Sequence, residues 1–428
     1  MDFVLSFGRT TFASLAIRNY RLYFIGQAIS LSGTWMQTVA LGWLVLTVTG
    51  SGSQLGLVTA LQFLPMLLLG PYGGVVVDRS EKKKILFITQ IFYGVFAGIL
   101  SIIVFLGATK LWMLYIFAVS FGLVRVFENP ARQTFVNELV GGDRLKNAIS
   151  LNATANNLAR AVGPSIGGII IATAGIAFCF LFNALSYIAT MVMLSKMRDE
   201  ELIRGTGRKH ASGDLVSGLR YAWSTPLIRN LLIMMAVVGT FSYEFQVSLP
   251  ILAQQTFLGN AGDYATLMAA FGVGSVIGGL FSAGRHQVAM SHYVLAVFMF
   301  GVSILGTSVA PSLQVATIGM VIVGIFSINV TSLANTMIQL KAAPEMRGRI
   351  MALWSVAMIG STPIGGPIVG WVGEHIGARW GLVIGGTAAV LVGVYAFFAL
   401  LKRDTALEGE VGTAEESAEV ELENIKVR

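Results

Sequence analysis

Glu244, Arg160 and the trio Arg125, Glu128 and Arg132 are ionisable residues set within or at the ends of long apolar segments. Such groups are costly inside a bilayer and mark ion pairs, proton relays or substrate paths. At 1.5 Å of rise per helical residue, Arg160 lies roughly 21 Å beyond Lys146, and Glu244 roughly 22 Å beyond Arg229. Both positions fall past the middle of a span. A carboxyl there can carry a proton if burial raises its pKa toward neutrality. Glu244 and Arg160 are therefore the proton-coupling candidates, and the alternatives for Glu244 are a fixed structural ion pair or a water-exposed acid near the outer mouth. Arg125, Glu128 and Arg132 are spaced by three and four, which puts them on one helix face. They form either a local charge ladder or a gate at the rim of the path.

The elements that hold these residues are legible from charge. The chain of 428 residues is 55% hydrophobic and only 12% charged, about half the charge of soluble domains. From Leu22 to Val77 no Asp, Glu, Lys, Arg or His occurs, and a membrane-spanning helix needs only roughly 20 residues. Continuous apolar runs with embedded Gly and Pro exclude a β-barrel, whose strands alternate, and fit a polytopic helical protein. Division at charges and turn residues predicts twelve spans: 20–48, 54–77, 85–107, 109–129, 147–173, 176–197, 227–256, 263–283, 292–310, 312–336, 349–373 and 378–401. The apolar segment after Arg9, Arg18 and Arg21 is too long for a cleaved signal core, so it is expected to stay as the first span.

Lys and Arg set the orientation. With both termini inside, all but four of the 29 Lys and Arg fall in cytoplasmic segments. The exceptions are Lys110 and Arg379 outside, and Arg125 and Arg160 within spans. The tail from Asp404 to Arg428 carries eight acids against two bases and reads as a solvated, disordered segment. A plasma (inner) membrane protein, multi-pass with both termini cytoplasmic, is expected.

The chain also repeats. "QTFVNELVGGDRLKNAISL" at 133–151 aligns with "NTMIQLKAAPEMRGRIMAL" at 335–353, and "GPSIGGIIIATAG" at 163–175 with "GPIVGWVGEHIG" at 366–377. Parallel six-helix repeats are a recurring transporter architecture, with the path between halves that rock. The expected division is 1–197 for the first six-helix bundle, 198–225 for a cytoplasmic linker, 226–402 for the second bundle and 403–428 for the acidic tail.

Five segments carry a family resemblance: "SGTWMQTVALGWLVLTVTGSGSQLGLV", "FLPMLLLGPYGGVVVDRSEKKK", "NPARQTFVNELV", "RLKNAISLN" and "GPSIGG". On them the chain resembles the major facilitator superfamily, and within it the exporters that include the enterobactin exporter and macrolide efflux proteins. The resemblance covers roughly residues 10–402. It implies an all-α membrane protein whose twelve transmembrane helices form two pseudo-symmetric six-helix bundles. It assigns Gly74, Asp78, Arg79, Lys82 and Lys83 to the gating motif between the second and third spans. Glu81 stands where the family often has Gly. Gly163, Pro164, Gly167 and Gly168 match the Gly-Pro-x-x-Gly-Gly signature of its proton-coupled exporters. The family's cavity uses the first, fourth, seventh and tenth spans, which makes Gln27, Trp35, Gln37, Tyr243, Gln246, Asn329 and Asn335 the substrate-path candidates. The first span lacks the acid of many related drug exporters.

Physical reasoning gives these motifs jobs. Gly74 is expected to let a neighbouring helix approach closely. Asp78 can accept hydrogen bonds from a helix N-terminus, or pair with an arginine, and so latch the cytoplasmic side. Pro164 removes a helix hydrogen bond and is expected to bend the helix, and Gly163, Gly167 and Gly168 are expected to seal against the other half.

Other chemistries find no support. No phosphate-cradling Gly-x-x-x-x-Gly-Lys-Ser/Thr occurs, so an ATP-driven pump is not expected. His210, His286, His292 and His375 lack metal-ligand spacing, and the lone Cys179 allows no intrachain disulfide. No catalytic constellation emerges, so no enzyme, cofactor or metal is expected. The expected partners are a small-molecule substrate, protons and the lipid bilayer, without nucleic acid, and the chain is expected to act as a monomer. The expected activity is proton-coupled export of small amphipathic molecules, drug-like or siderophore-like, by alternating access. A lipid flippase, a nutrient importer or a transport-inactive receptor on the same fold stays open, because fold does not fix function.

Overall fold

The computed structural model describes residues 12–203, 215–283, 289–358 and 361–401, and within them every regular element is a helix. The spans begin with α1 (Arg18–Thr49), α2 (Gly52–Asp78) and α3 (Lys82–Phe105). A helix of 63 residues, Leu111–Thr173, then divides at Gly141 into α4 (111–140) and α5 (142–173). Gly141 has φ 69° and ψ −176°, a conformation open to glycine and strained for other residues. The chain continues with α6 (Ile176–Ser195), α7 (Pro226–Thr256), α8 (Ala261–Ala283), α9 (Met290–Ser308), α10 (Leu313–Lys341), α11 (Arg347–His375) and α12 (Ala378–Leu400).

The twelve predicted spans are present. The largest departure lies between the fourth and fifth, where charges from Arg132 to Lys146 read as a connection. Here α4 runs on to residue 140 because Phe135, Val136, Leu139 and Val140 bury themselves against Tyr20, Tyr23 and Leu86. This small core lies at the end of the molecule that carries the turn after Asp78, termed the charged end. The opposite end, termed the far end, holds the short uncharged turn between α1 and α2.

Within the first half α1 packs on α5 and α6, α2 on α4, and α3 on α6. Gly73 lies against the backbone of Val126, and Gly122 against Gln62 and Pro65, so glycines bring α2 and α4 close. In the second half α8 packs on α10, and α9 on α10 and α12. With little water to drive helices together in a bilayer, such small-residue contacts and their dispersion energy carry the association. The two halves meet mainly along two pairs, α2 with α11 and α5 with α8. Under the sequence repeat α2 corresponds to α8 and α5 to α11, so these junctions are repeat equivalents.

The predicted linker is described in part. A short turn, Asp199–Glu201, follows the first half, and its Asp199 takes a salt bridge from Lys83 at 2.6 Å. A helix, Leu215–Ser224, docks on the second half: Gly218 lies against Arg349, and the Tyr221 hydroxyl accepts from the Ala343 N–H at 3.1 Å. The acidic tail, His210, His286 and Arg9 lie outside the described residues.

Candidate functional site

The span α7 is interrupted where it crosses α11. In α7 the helix stops at Phe241 and resumes at Phe245, leaving Glu244 at φ −80° and ψ 38° as the cap of the second segment. In α11 the helix is described as Arg347–Met358 and Thr362–His375. Gly239 of α7 abuts the carbonyls of Ala357 and Met358, and Gly365 of α11 abuts the carbonyl of Thr240. Irregular backbone at membrane depth is tolerated where it is buried in protein or lines a cavity, and interrupted spans often mark the binding region of transporters.

Glu244 projects into this crossing. It is 4% exposed, and Thr362 donates a hydrogen bond to it. Its Oε1 has no hydrogen-bond partner among the described residues. Methylene-sized additions at Gly365 and Gly366 would come within 3.0 and 3.7 Å of the two carboxyl oxygens. No salt bridge joins Glu244 to Arg160 among the described residues. The fixed ion pair weighed from sequence is therefore not how these two groups are held here.

Arg160 sits on α5 at the other junction, where Gly272 of α8 abuts the backbone of residues 160 and 161. Its guanidinium lies 4.8 Å from the Trp35 ring centroid and 5.6 Å from that of Phe271. Rings from both halves thus flank one cation, a favourable contact with the ring quadrupoles. The Nε is buried without a hydrogen-bond partner among the described residues.

The remaining path candidates divide. Tyr243 donates to the Ser327 carbonyl at 2.8 Å and ties α7 to α10. Gln246 lines a narrow cleft with Thr38, Thr59 and Gln62. Gln37 faces away from the other half, accepting from Asn183 of α6 at 2.7 Å. Asn329 donates to Ile325 within its own helix at 2.6 Å, and Asn335 accepts from Gln339 at 2.5 Å. Gln27 is buried at 7% exposure. On α4, Arg132 and Glu128 pair at 2.9 Å, while Arg125 lies 4.9 Å over the Phe63 ring. Of the proposed trio only two make a ladder.

The ends of the junction differ. At the far end Gly52 and Gly56 of α2 lie against Gly370 and Gly366 of α11, backbone to backbone. Glu374 completes this contact: its Oε2 accepts from the Ser51 hydroxyl and the Ser53 N–H, both at 2.7 Å. An acid of one half thereby caps a helix N-terminus of the other, where exposed N–H groups and the helix dipole favour negative charge. At the charged end Asp78 is exposed and makes no side-chain hydrogen bond or ion pair among the described residues. The charged-end segment Arg347–Met358 packs on α7 and on the helix Leu215–Ser224 instead of on α2.

Two expectations need correction. The close approach expected at Gly74 is made by its neighbour Gly73, since a Cβ on Gly74 would meet nothing within 4 Å. Gly163 and Gly167 press on Ser32, Trp35 and Met36 of α1 in their own half, and only Gly168 faces the other half, at Ala265 and Gly262. Pro164 lies within the helix, and the residue of this element with non-helical backbone is Gly141. The motif lysines serve their own half: Lys82 reaches Glu138 at 3.5 Å, and Lys83 reaches Asp199. Arg79 is exposed, and Glu81 pairs locally with Lys84 at 3.1 Å.

Glu374 was missed by sequence reasoning. Its signal was a lone acid at the end of a glycine-rich span, opposite a "TGSGS" turn that offers donors and no charge. A separate apolar groove of about 360 Å³, between α2, α3 and α4 and lined by Val76, Ile88, Phe92 and Phe127 among others, contains none of the path candidates.

Comparison with known proteins follows the same lines. A family model described as "Transmembrane secretion effector" matches residues 9–424. The chain is 23% identical to the staphyloferrin A transporter of Staphylococcus aureus, over 91% of this chain and 98% of that protein. It is 25% identical to the multidrug efflux pump Tap of Mycolicibacterium fortuitum, over 86% and 92%. It is 26% identical to the enterobactin exporter of Escherichia coli, over 90% and 92%. Among solved structures, a bacterial homologue of the human lysosomal transporter Spinster, described as inward-facing and unoccupied, superposes with a TM-score of 0.66 at 15% identity, covering 89% of this chain and 94% of that one. The nucleoside transporter NupG gives 0.72 at 11% identity, covering 90% and 100%. At these identities the structural likeness speaks to fold alone.

Proposed function

The chain belongs to the transmembrane secretion effector family of major facilitator transporters, and from that premise we propose that it exports small amphipathic molecules, drug-like or siderophore-like, by proton-coupled alternating access. It is a transporter, not an enzyme. The observation that carries the mechanism is the difference between the two ends of the junction. The far end is shut by glycine contacts and by Glu374 on the α2 N-terminus, while Asp78 at the charged end stands free. With the basic charged end on the cytoplasmic side, this is the inward-facing member of the cycle. The relatives that export siderophores or drugs support the direction and the substrate class. The cycle needs one bundle on each side of the 198–225 linker, and a monomer suffices for it.

Glu244 is the proton carrier in this reading. It is buried beside Gly365 and Gly366 of α11, and Gly366 meets Gly56 of α2, so a change in its protonation acts next to a junction of the halves. Arg160 keeps its charge throughout and contributes to coupling only as a fixed cation. The test is export from an efflux-deficient bacterial host, using a panel of antibiotics, dyes and siderophores with and without an uncoupler. At least one compound is expected to be excluded, and the uncoupler to restore its retention. Unchanged retention of every compound would reject the reading. Glu244→Gln is expected to abolish gradient-driven export while substrate exchange across proteoliposomes persists. Gradient-driven export by this variant at the wild-type rate would remove Glu244 from coupling.

A further inference from the structure

We infer that Arg160 is the receiving group of an anion-selective substrate site at the junction of the halves, and that the transported molecule carries a carboxylate or similarly compact anion beside an apolar body. The inference rests on the export reading above and specifies its substrate class.

The local charge inventory is the first support. Among the described residues more than two turns from the end of a span, the cations are Arg125, Arg132 and Arg160, and the acids are Glu128 and Glu244. Arg132 is committed to Glu128 at 2.9 Å, and Glu244 to Thr362. Arg160 has no acid within salt-bridge distance among the described residues and a buried Nε without a partner. An uncompensated cation within a membrane is costly, and a substrate anion would supply the missing charge.

Its placement is the second support. Asn152, Asn156 and Arg160 recur every four residues and share one face of α5, all half-buried. They make a polar track from the charged end to the cation. Toward that end Leu158 of α5 and Leu280 of α8 are 52% and 70% exposed, and a Cβ on Gly279 would meet nothing within 4 Å. Trp35 and Phe271, contributed by opposite halves, flank the guanidinium. An anion seated on Arg160 therefore places its apolar body against rings of both halves, so its binding senses their separation. Arginine's planar fork also suits a carboxylate bidentately.

The test uses the full chain in nanodiscs, with empty nanodiscs subtracted, and a pair of probes that differ in the sign of charge: 1-naphthylacetate and 2-(1-naphthyl)ethylamine. Equilibrium binding is followed by tryptophan fluorescence, and the fold of each variant by its thermal unfolding. The wild type is expected to bind the carboxylate at least about tenfold more tightly than the amine. Arg160→Gln is expected to erase that preference without loss of the fold, and Arg160→Lys to keep part of it. Equal affinities, preference for the amine, no binding of either probe, or an unchanged preference in a folded Arg160→Gln would each overturn the assignment. The assay uses no gradient. A chain that exports cationic drugs from cells would thus fail this test while leaving the export reading intact.

Discussion

At its N-terminus α2 is held from across the junction; at its C-terminus it is not. Gly52 and Gly56 meet Gly370 and Gly366 with no side chain between the backbones, and Glu374 of α11 accepts from Ser51 and Ser53. At the other end of the same 27-residue helix, Gly74 has open space and Asp78 has no partner among the described residues. Both ends carry the same equipment, small residues with an acid able to cap a helix, and only one set is engaged. A helix whose two grips exclude each other is a two-state element, and the populations follow the difference in free energy between the grips.

The largest break in this comparison is expected from Gly56→Leu. A side chain there runs into the Gly366 carbonyl, and overpacking of this kind costs about 1–3 kcal/mol, occasionally more, enough to shift the two-state balance by roughly fivefold to a hundredfold. Transport should fall, and thiols placed at the far end should become more accessible. Gly74→Ala, at the free end, burdens only the alternative state and should not raise far-end accessibility.

Asp78→Asn should act next most strongly, and in the opposite sense. A hydrogen bond to a charged group is worth about 1.5–3 kcal/mol, and here it is absent from the state described, so its loss destabilises only the alternative state. Transport should drop about tenfold while far-end accessibility does not rise. Glu374→Gln is expected to open the far end by about 1 kcal/mol, since the amide retains acceptor capacity but loses the charge that favours a helix N-terminus. Accessibility assays on the two variants should therefore move in opposite directions. Lys83→Ala should be the mildest, within about 1 kcal/mol, because its salt bridge to an exposed Asp199 lies inside one half; unaltered transport kinetics would check it.

These contrasts also explain what was legible in the sequence. Charge spacing located all twelve spans, because lipid forbids unpaired charge and free backbone over a fixed thickness. The α4–α5 boundary escaped, since the charged segment Arg132–Lys146 also presents an apolar face to Tyr20 and Tyr23, a tertiary contact no local pattern announces. The glycines were found as a class and misassigned singly. Gly73 and Gly74 are adjacent, and one residue is 100° of helix rotation, so composition cannot say which one faces Val126. Glu244 and Arg160 were found because intramembrane charge is rare. That they lie at separate junctions, one against α11 and the other between two rings, required the pairing of the halves. Glu374 was overlooked because an acid at a span's end has an easy explanation as a surface charge, and only α2 arriving beside it gives it a role.

The most direct test of the account measures both ends at once. Spin-label pairs at Leu106 and Val309 for the far end, and at Ile149 and Leu280 for the charged end, sit on exposed positions, and the native Cys179 is buried. Double electron–electron resonance on the wild type and on Glu374→Gln is expected to show the far-end distance growing as the charged-end distance shrinks. Two ends that open together, or a charged-end distance that stays fixed while the far end opens, would contradict exclusive gripping of α2.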